Sequence, residues 1–258
     1  MKAPLAVTTT AKQPGRYARV AREVAEAWQL PFLERGEKTP LARLLETDAE
    51  ALFVLGGDGW TLHDTHGAAQ FSPGLARVRI ARLRDGVQQP DQLIQVSGLT
   101  SGESVVDCTL GLGVDAQVCA HVVGASGRVV GVEAARPLAM LVQLGRPPGV
   151  EVIHARAADF LRAQPDASFD VVFFDPMFSH PARASAAFGV LRRYAVHAPL
   201  DEPTLREARR VARRCVVIKT GHHDTALAPL GLRSTPLTRF STFAWARVPP
   251  ASGDVGGA

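Results

Sequence analysis

From residue 104 onward, short unbroken apolar runs alternate with stretches of helical spacing. Val105-Val106-Asp107 reads as a strand that enters a glycine turn, and Val114 to Val123 as a helix. Arg128 to Glu133 predicts the second strand, Arg136 to Leu144 the second helix and Val150 to Ala155 the third strand. Asp170 to Asp175 is the fourth strand, with a helix expected around Ala182 to Tyr194. Thr204 to Arg213 predicts another helix, with Asp201 as N-cap and Pro203 in the first turn. Cys215 to Thr220 is the fifth strand. Strands that are apolar throughout, rather than alternating, belong to a parallel sheet covered on both faces. Leu232 to Arg239 and Thr242 to Val248 are extended with almost nothing between them, which predicts an antiparallel hairpin.

The first 70 residues predict a separate small α/β domain. Leu5 to Thr9 is strand-like, and Tyr17 to Trp28 has helical spacing, with Val20, Val24, Ala27 and Trp28 on one side. Phe32-Leu33 is a candidate second strand, Leu41 to Leu45 a short helix, and Ala51 to Leu55 with Trp60 to Leu62 a hairpin. Residues 71–100 read as a connector, 101–248 as the main domain, and 249–258, small and breaker-rich, as a disordered tail. The expected fold class is α/β: a Rossmann-like seven-stranded sheet ending in an antiparallel hairpin, plus the small N-terminal domain.

Composition narrows the class without naming a function. Of 258 residues, 46% are hydrophobic and 21% charged, which suits a protein with a sizeable buried core. No apolar run approaches the roughly 18 residues of a membrane span, and Met1-Lys2-Ala3-Pro4-Leu5 has no apolar signal core, so a cytoplasmic protein is expected. Cys108, Cys119 and Cys215 lie in apolar contexts without metal-site spacing, and no metal is expected. His222-His223-Asp224 reads as a solvated loop rather than a metal cluster. A net charge of +4 permits a nucleic-acid partner without requiring one.

The chemistry concentrates at the ends of the predicted strands. Asp107-Cys108-Thr109-Leu110-Gly111-Leu112-Gly113 follows the first strand and opens a helix. Glycines there let backbone approach a ligand, and helix N-terminal amides face the crevice where such sheets bind nucleotides. Glu133 ends the second strand, where an acid can accept hydrogen bonds from ribose hydroxyls. Together these point to a nucleoside-containing cofactor. Ala116 could complete a dinucleotide fingerprint, so the glycines alone do not separate NAD from S-adenosylmethionine (SAM); Asp107 favours SAM.

Asp175-Pro176-Met177-Phe178 closes the fourth strand and resembles the (D/N)PP(Y/F) motif of amino-group methyltransferases, with Met177 in place of the second proline. Asp175 and the Pro176 carbonyl can accept the N–H bonds of an exocyclic amine and aim its lone pair. Phe178 can stack on an extruded base.

The resemblance extends further. Val106 through Ala116 is similar to the "VDATAGLGRDA" block of the RsmJ family, which methylates guanine N2 in small-subunit ribosomal RNA. Phe174 through His180 resembles that family's "LDPMFPH", Val216 through Lys219 its "VVVK", and Arg239 through Phe243 its "RFDIY". The resemblance covers residues 104–248. It implies a class I methyltransferase sheet and SAM contacts at Val114, Asp115, Glu133, Ala134, Arg156, Ala157 and Asp175, alongside Asp107, Gly111 and Gly113. This chain has Val114 and Ala134 where the family has Arg, and His154-Ala155-Arg156-Ala157 where it has "HASS". Pro181-Ala182-Arg183 replaces its basic "KQK" stretch. Asp159 could take over an acid's role toward adenine near Arg156. The N-terminal block from Ala6 to Arg35 looks more like YpiP-type uncharacterised relatives.

Candidate substrate contacts are His180, Lys219 and the connector arginines Arg77, Arg79 and Arg82, with Arg84 close by. Lys219 could instead pair with Asp175. Arg206, Arg210, Arg213 and Arg214 predict a solvated helix face. The function expected is SAM-dependent methylation of an exocyclic amine, guanine N2 of small-subunit rRNA, with rRNA or the 30S subunit as partner. A small-molecule or protein amine methyltransferase and a non-catalytic SAM-binding RNA-associated protein are the rival readings.

Overall fold

The computed structural model describes residues 2–86, 91–176, 189, 193–196, 198–221, 225, 227–239, 241 and 243–251. The helix expected around 182–194 falls almost wholly outside them. The chain forms two compact units, one of residues 1–72 with 182–194, the other of residues 73–181 with 195–258.

The first unit is a four-stranded sheet in the order β1-β2-β3-β4, comprising β1 (Ala6–Thr9), β2 (Ala51–Gly56), β3 (Gly59–Asp64) and β4 (Gly67–Gln70). β1 and β2 are parallel, joined through α1 (Pro14–Ala27) and α2 (Leu41–Thr47), while β2, β3 and β4 are antiparallel. Pro14 opens α1, where its missing N–H is no loss. The helix face differs from expectation: Ala21 and Ala25 are the buried positions, and Val20 is 38% exposed. Small residues let α1 lie close against β1, which the larger side chains would prevent. Phe32 makes only an isolated bridge to Val7 rather than a strand. Ala6, Leu44, Leu45, Ala49, Leu52 and Val54 form this unit's core.

The second unit is a seven-stranded sheet in the order β10-β11-β9-β8-β5-β6-β7. Its strands are β5 (Ser104–Asp107), β6 (Arg128–Glu133), β7 (Val150–His154), β8 (Phe169–Phe174), β9 (Ala212–Gly221), β10 (Thr235–Pro236) and β11 (Phe243–Val248). β5 to β9 are parallel, and β11 runs antiparallel to both β9 and β10. The central strands are buried along nearly their whole length, which explains their unbroken apolar sequence. β10 is two residues long, shorter than the run from Leu232 to Arg239 suggested.

Helices α5 (Val114–Val123), α6 (Arg136–Gly145), α7 (Ala157–Arg162) and α8 (Glu202–Val211) cross between these strands. Asp201 caps α8 by accepting the Thr204 N–H at 2.9 Å. Leu205, Ala208 and Val211 bury one stripe of α8. Arg210 is no solvated residue: it donates to the Leu161 and Gln164 carbonyls at 2.9 Å. Arg213 and Arg214 lie on β9 and pair with Asp170 and Glu103. All three cysteines are buried free thiols.

Residues 71–100, read as a connector, carry α3 (Gly74–Arg84) and α4 (Gln92–Ser97). The amphipathic pattern of α3 is inverted. Leu75 and Val78 are 61% and 52% exposed, whereas Arg79 is turned inward on the buried side with Ala76. Asp91 caps α4 through the Leu93 and Ile94 N–H groups.

Candidate active site

Strand order reverses between β5 and β8. From β5 the chain proceeds to β6 and β7 on one side, then to β8, β9 and β11 on the other. A crevice opens beyond the carboxyl ends of strands at such a point, because the following loops diverge. Asp107 pairs in register with Phe173, so the loop after β5 and Asp175 after β8 emerge side by side.

Asp107 is only 2% exposed and accepts the Thr109 N–H at 3.0 Å. Burial, with Asp115, Asp175 and Glu133 nearby, pushes its carboxyl well above the usual range and favours the protonated form. Thr109 Oγ1 in turn accepts the Asp175 N–H at 2.6 Å, tying the two strand ends together. Gly111 and Gly113 have φ of +52° and +69°, a region costly for side chains with a Cβ. Glu133 braces this loop: its carboxylate accepts the Gly111 N–H at 2.9 Å and the Ala135 N–H at 2.8 Å. Burial raises its pKa, and these backbone donors oppose the rise.

A chain of charges joins α3 and α5 to the ends of β8 and β9. Arg79 makes two bonds to Asp91, at 2.7 and 2.9 Å, and a further one to Asp115. Lys219 Nζ lies 2.6 Å from Asp175 Oδ2 and 3.6 Å from Asp115 Oδ2. Burial opposes the charge on Lys219, but Asp115 and Asp175 outweigh it and raise its pKa. For Asp175, burial prevails over the Lys219 attraction and the pKa rises. For Asp115, Lys219 and Arg79 together overcome burial and lower it.

A cavity of about 460 Å³ opens above the strand ends. Gly111, Glu133, Ala134, Arg156, Ala157, Asp175 and Pro176 line it, as does Asp159. Asp107, Gly113, Val114 and Asp115 are not on its wall. Arg77 and Arg82 are exposed on α3, whereas Arg79 is committed to acids. Phe178 and His180 lie outside the described residues, as do His222-His223-Asp224. Asp159 is paired with Arg162 at 2.8 Å.

Sequence reasoning did not place Thr109, Asp91 or the wall formed by Pro199, Leu200 and Asp201 at the site, although it read Asp201 as a helix cap. Thr109 carried a usable signal, a hydroxyl two residues after a strand-end acid. The distant segments carried none, since only folding brings them to the strand ends.

The chain matches no protein-family profile. It is 33% identical over 226 residues to the uncharacterized protein YpiP of Bacillus subtilis, covering 82% of this chain and 87% of that one. It is 36% identical over 209 residues to ribosomal RNA small subunit methyltransferase J of Laribacter hongkongensis, covering 72% of each. Its fold matches the crystal structure of a SAM-dependent methyltransferase from Neisseria gonorrhoeae with a TM-score of 0.64 at 18% identity, over 98% of both chains. With the switch-point cavity, the Gly111-Gly113 loop and these relatives together, the chain belongs to the class I SAM-dependent methyltransferases, in the family of ribosomal RNA small subunit methyltransferase J.

Proposed function

We propose that this chain transfers the SAM methyl group to an exocyclic amino group of ribosomal RNA, with guanine N2 of the small-subunit RNA as acceptor. The observation that carries this reading is the position of Asp175: a carboxylate at the end of β8, at the switch point, on the cavity wall. The methyltransferase J relative supports the RNA class, and action on ribosomal RNA implies the cytoplasm.

The residues fit the cofactor. A volume of about 460 Å³ falls within the roughly 300–1,000 Å³ of small-molecule sites. The cavity wall sets the carboxyl groups of Glu133, Asp159, Asp175 and Asp201 against Arg156 and Arg162, an excess of acidic side chains that favours a cationic ligand. Glu133 would hold the ribose hydroxyls, since a carboxylate bonded to two N–H groups retains lone pairs. Ala134, Arg156 and Ala157 would face the adenine, with Gly111 and its neighbours in the chain (Asp107, Gly113, Val114, Asp115) shaping the methionine end. The bound cofactor supplies a methyl group on a sulfonium leaving group, so the protein contributes chiefly positioning and electrostatics.

An amine on a base shares its lone pair with the ring. Asp175 and the Pro176 carbonyl would accept its N–H bonds, localising the lone pair on the nitrogen and aiming it from the ring face at the methyl group. The Asp175 carboxylate would stabilise positive charge growing on the nitrogen, and one such preorganised group is worth ~10²–10³ in kcat. Phe178 would stack on the extruded base, and His180 would meet its surroundings. Arg77 and Arg82, exposed on α3, would contact phosphates.

Methyl-labelled SAM incubated with naked rRNA, 30S particles or a metabolite extract tests the reading. Label in RNA that disappears in Asp175→Ala supports it. Label in small molecules, or binding without any transfer, defeats it.

A further inference from the structure

We propose that Lys219 is a positioning residue for methyl transfer: its ammonium, wedged between Asp115 and Asp175, keeps the Asp175 carboxylate ionised and aimed at the acceptor amine. The proposal rests on reading Asp175 as the group that receives the acceptor N–H bonds.

Register places the pair. Phe174 of β8 stands opposite Ile218 of β9, so the next residue on each strand, Asp175 and Lys219, meet at the open end of the sheet. The Lys219 side chain is 13% exposed and sits 4.4 Å from the Phe243 ring centroid and 5.9 Å from that of Trp245. Aromatic faces on one side and carboxylates on the other leave its ammonium little freedom. Trp245 is itself held, donating from Nε1 to Gln92 at 3.3 Å.

Charged groups converge on the pair from every neighbouring element. Asp107 ends β5, Asp115 opens α5, Glu133 ends β6 and Arg79 reaches in from α3. Neighbouring buried carboxylates resist joint ionisation unless a cation stands between them. Arg79 is bound by Asp91 and Asp115, so it satisfies Asp115 from the far side and leaves Lys219 for Asp175. The Lys219 bond uses Asp175 Oδ2; a carboxylate has further lone pairs to accept an amine. The tertiary structure thus converts a lysine that could serve as a phosphate contact into the counter-charge of the reacting acid.

The test reads Asp175 directly. Full-length protein labelled with ¹³C at aspartate carboxyls is titrated by NMR, with the Asp175 resonance identified by its loss in Asp175→Asn. Lys219→Met should raise the Asp175 midpoint by about one pH unit or more. The acid limb of kcat should move with it, while KM for RNA stays put. Lys219→Arg should restore both. A folded Lys219→Met protein whose Asp175 midpoint is unmoved overturns the proposal, as does Lys219→Arg failing like Lys219→Met. If Lys219→Met does not fold, Asp115→Asn serves: removing the competing acid should lower the Asp175 midpoint, and an unmoved or raised midpoint is fatal. A wild type that methylates no RNA defeats the acceptor assignment alone, because the carboxyl titration needs no substrate.

Discussion

Replacing Glu133 with glutamine tests how the loop after β5 is held. The change preserves shape and removes charge. The native carboxylate accepts two backbone N–H groups, from Gly111 at 2.9 Å and Ala135 at 2.8 Å. An amide has one oxygen, so one bond is kept and an NH₂ is set against the other N–H. The lost interaction is a hydrogen bond to a charged group, worth about 1.5–3 kcal/mol. Glu133 is 7% exposed, so water cannot readily replace it. Gly111 lines the cavity, so the loss reaches ligand affinity as well as the fold. At 1.4 kcal/mol per factor of ten, SAM affinity should weaken roughly 10- to 150-fold. Calorimetric titration of SAM into wild type and Glu133→Gln measures this. Affinity within threefold of wild type would refute the claim that this carboxylate braces a binding loop.

The other expectations are as direct. Asp175→Ala should lower RNA methylation ~10²–10³-fold, a larger loss than that in SAM affinity, measured as kcat beside calorimetric Kd. Asp107 is buried with its pKa raised, so the stability it contributes is present below the ordinary carboxylate range and lost as pH rises through its folded-state value. Asp107→Asn, which mimics the neutral acid, should therefore flatten that decline in urea unfolding between pH 5 and 9, and a decline as steep as wild type counts against it. Arg79→Met leaves Asp91, 9% exposed, without its cation and Asp115, 14% exposed, with Lys219 alone, and should destabilise by about 3–5 kcal/mol in denaturant titration. In Gly131→Ala the new Cβ would lie 2.4 Å from Leu110 Cδ1, so the buried Leu110 side chain must move, and SAM affinity should fall as the loop that carries it is disturbed; unchanged affinity would show that the side chain repacks without disturbing the loop.

Much of the second unit could be read from its residues because its local and tertiary demands coincide. The runs around Val106, Val130 and Val172 are apolar on both faces, and they fold as central strands buried on both faces. Val114 to Val123 and Arg128 to Glu133 match the observed elements end for end, since glycine turns and strand-end acids mark their limits. The cofactor was legible for the same reason: Gly111, Gly113, Glu133 and Asp175 each sit where a strand stops. Burial stripes on surface helices were less legible. In α1 the small Ala21 and Ala25 face inward where Val20 was expected, and α3 turns Arg79 in and Leu75 out. Periodicity assumes that apolar side chains seek the core, and it fails where a buried charge network or close helix packing reverses that preference.

The sequence alone was enough for the sheet, the cofactor class and the candidate acids, because each rests on a short local pattern at the end of a strand. Only the tertiary structure decided how those acids are paired. Arg79 with Asp91 and Asp115, and Lys219 with Asp115 and Asp175, join residues 12 to 104 positions apart. Such pairings follow from strand order and register, and no local preference encodes them. Asp175-Pro176 was visible as a motif, but the ammonium beside it was only one of two options until β9 came to lie next to β8.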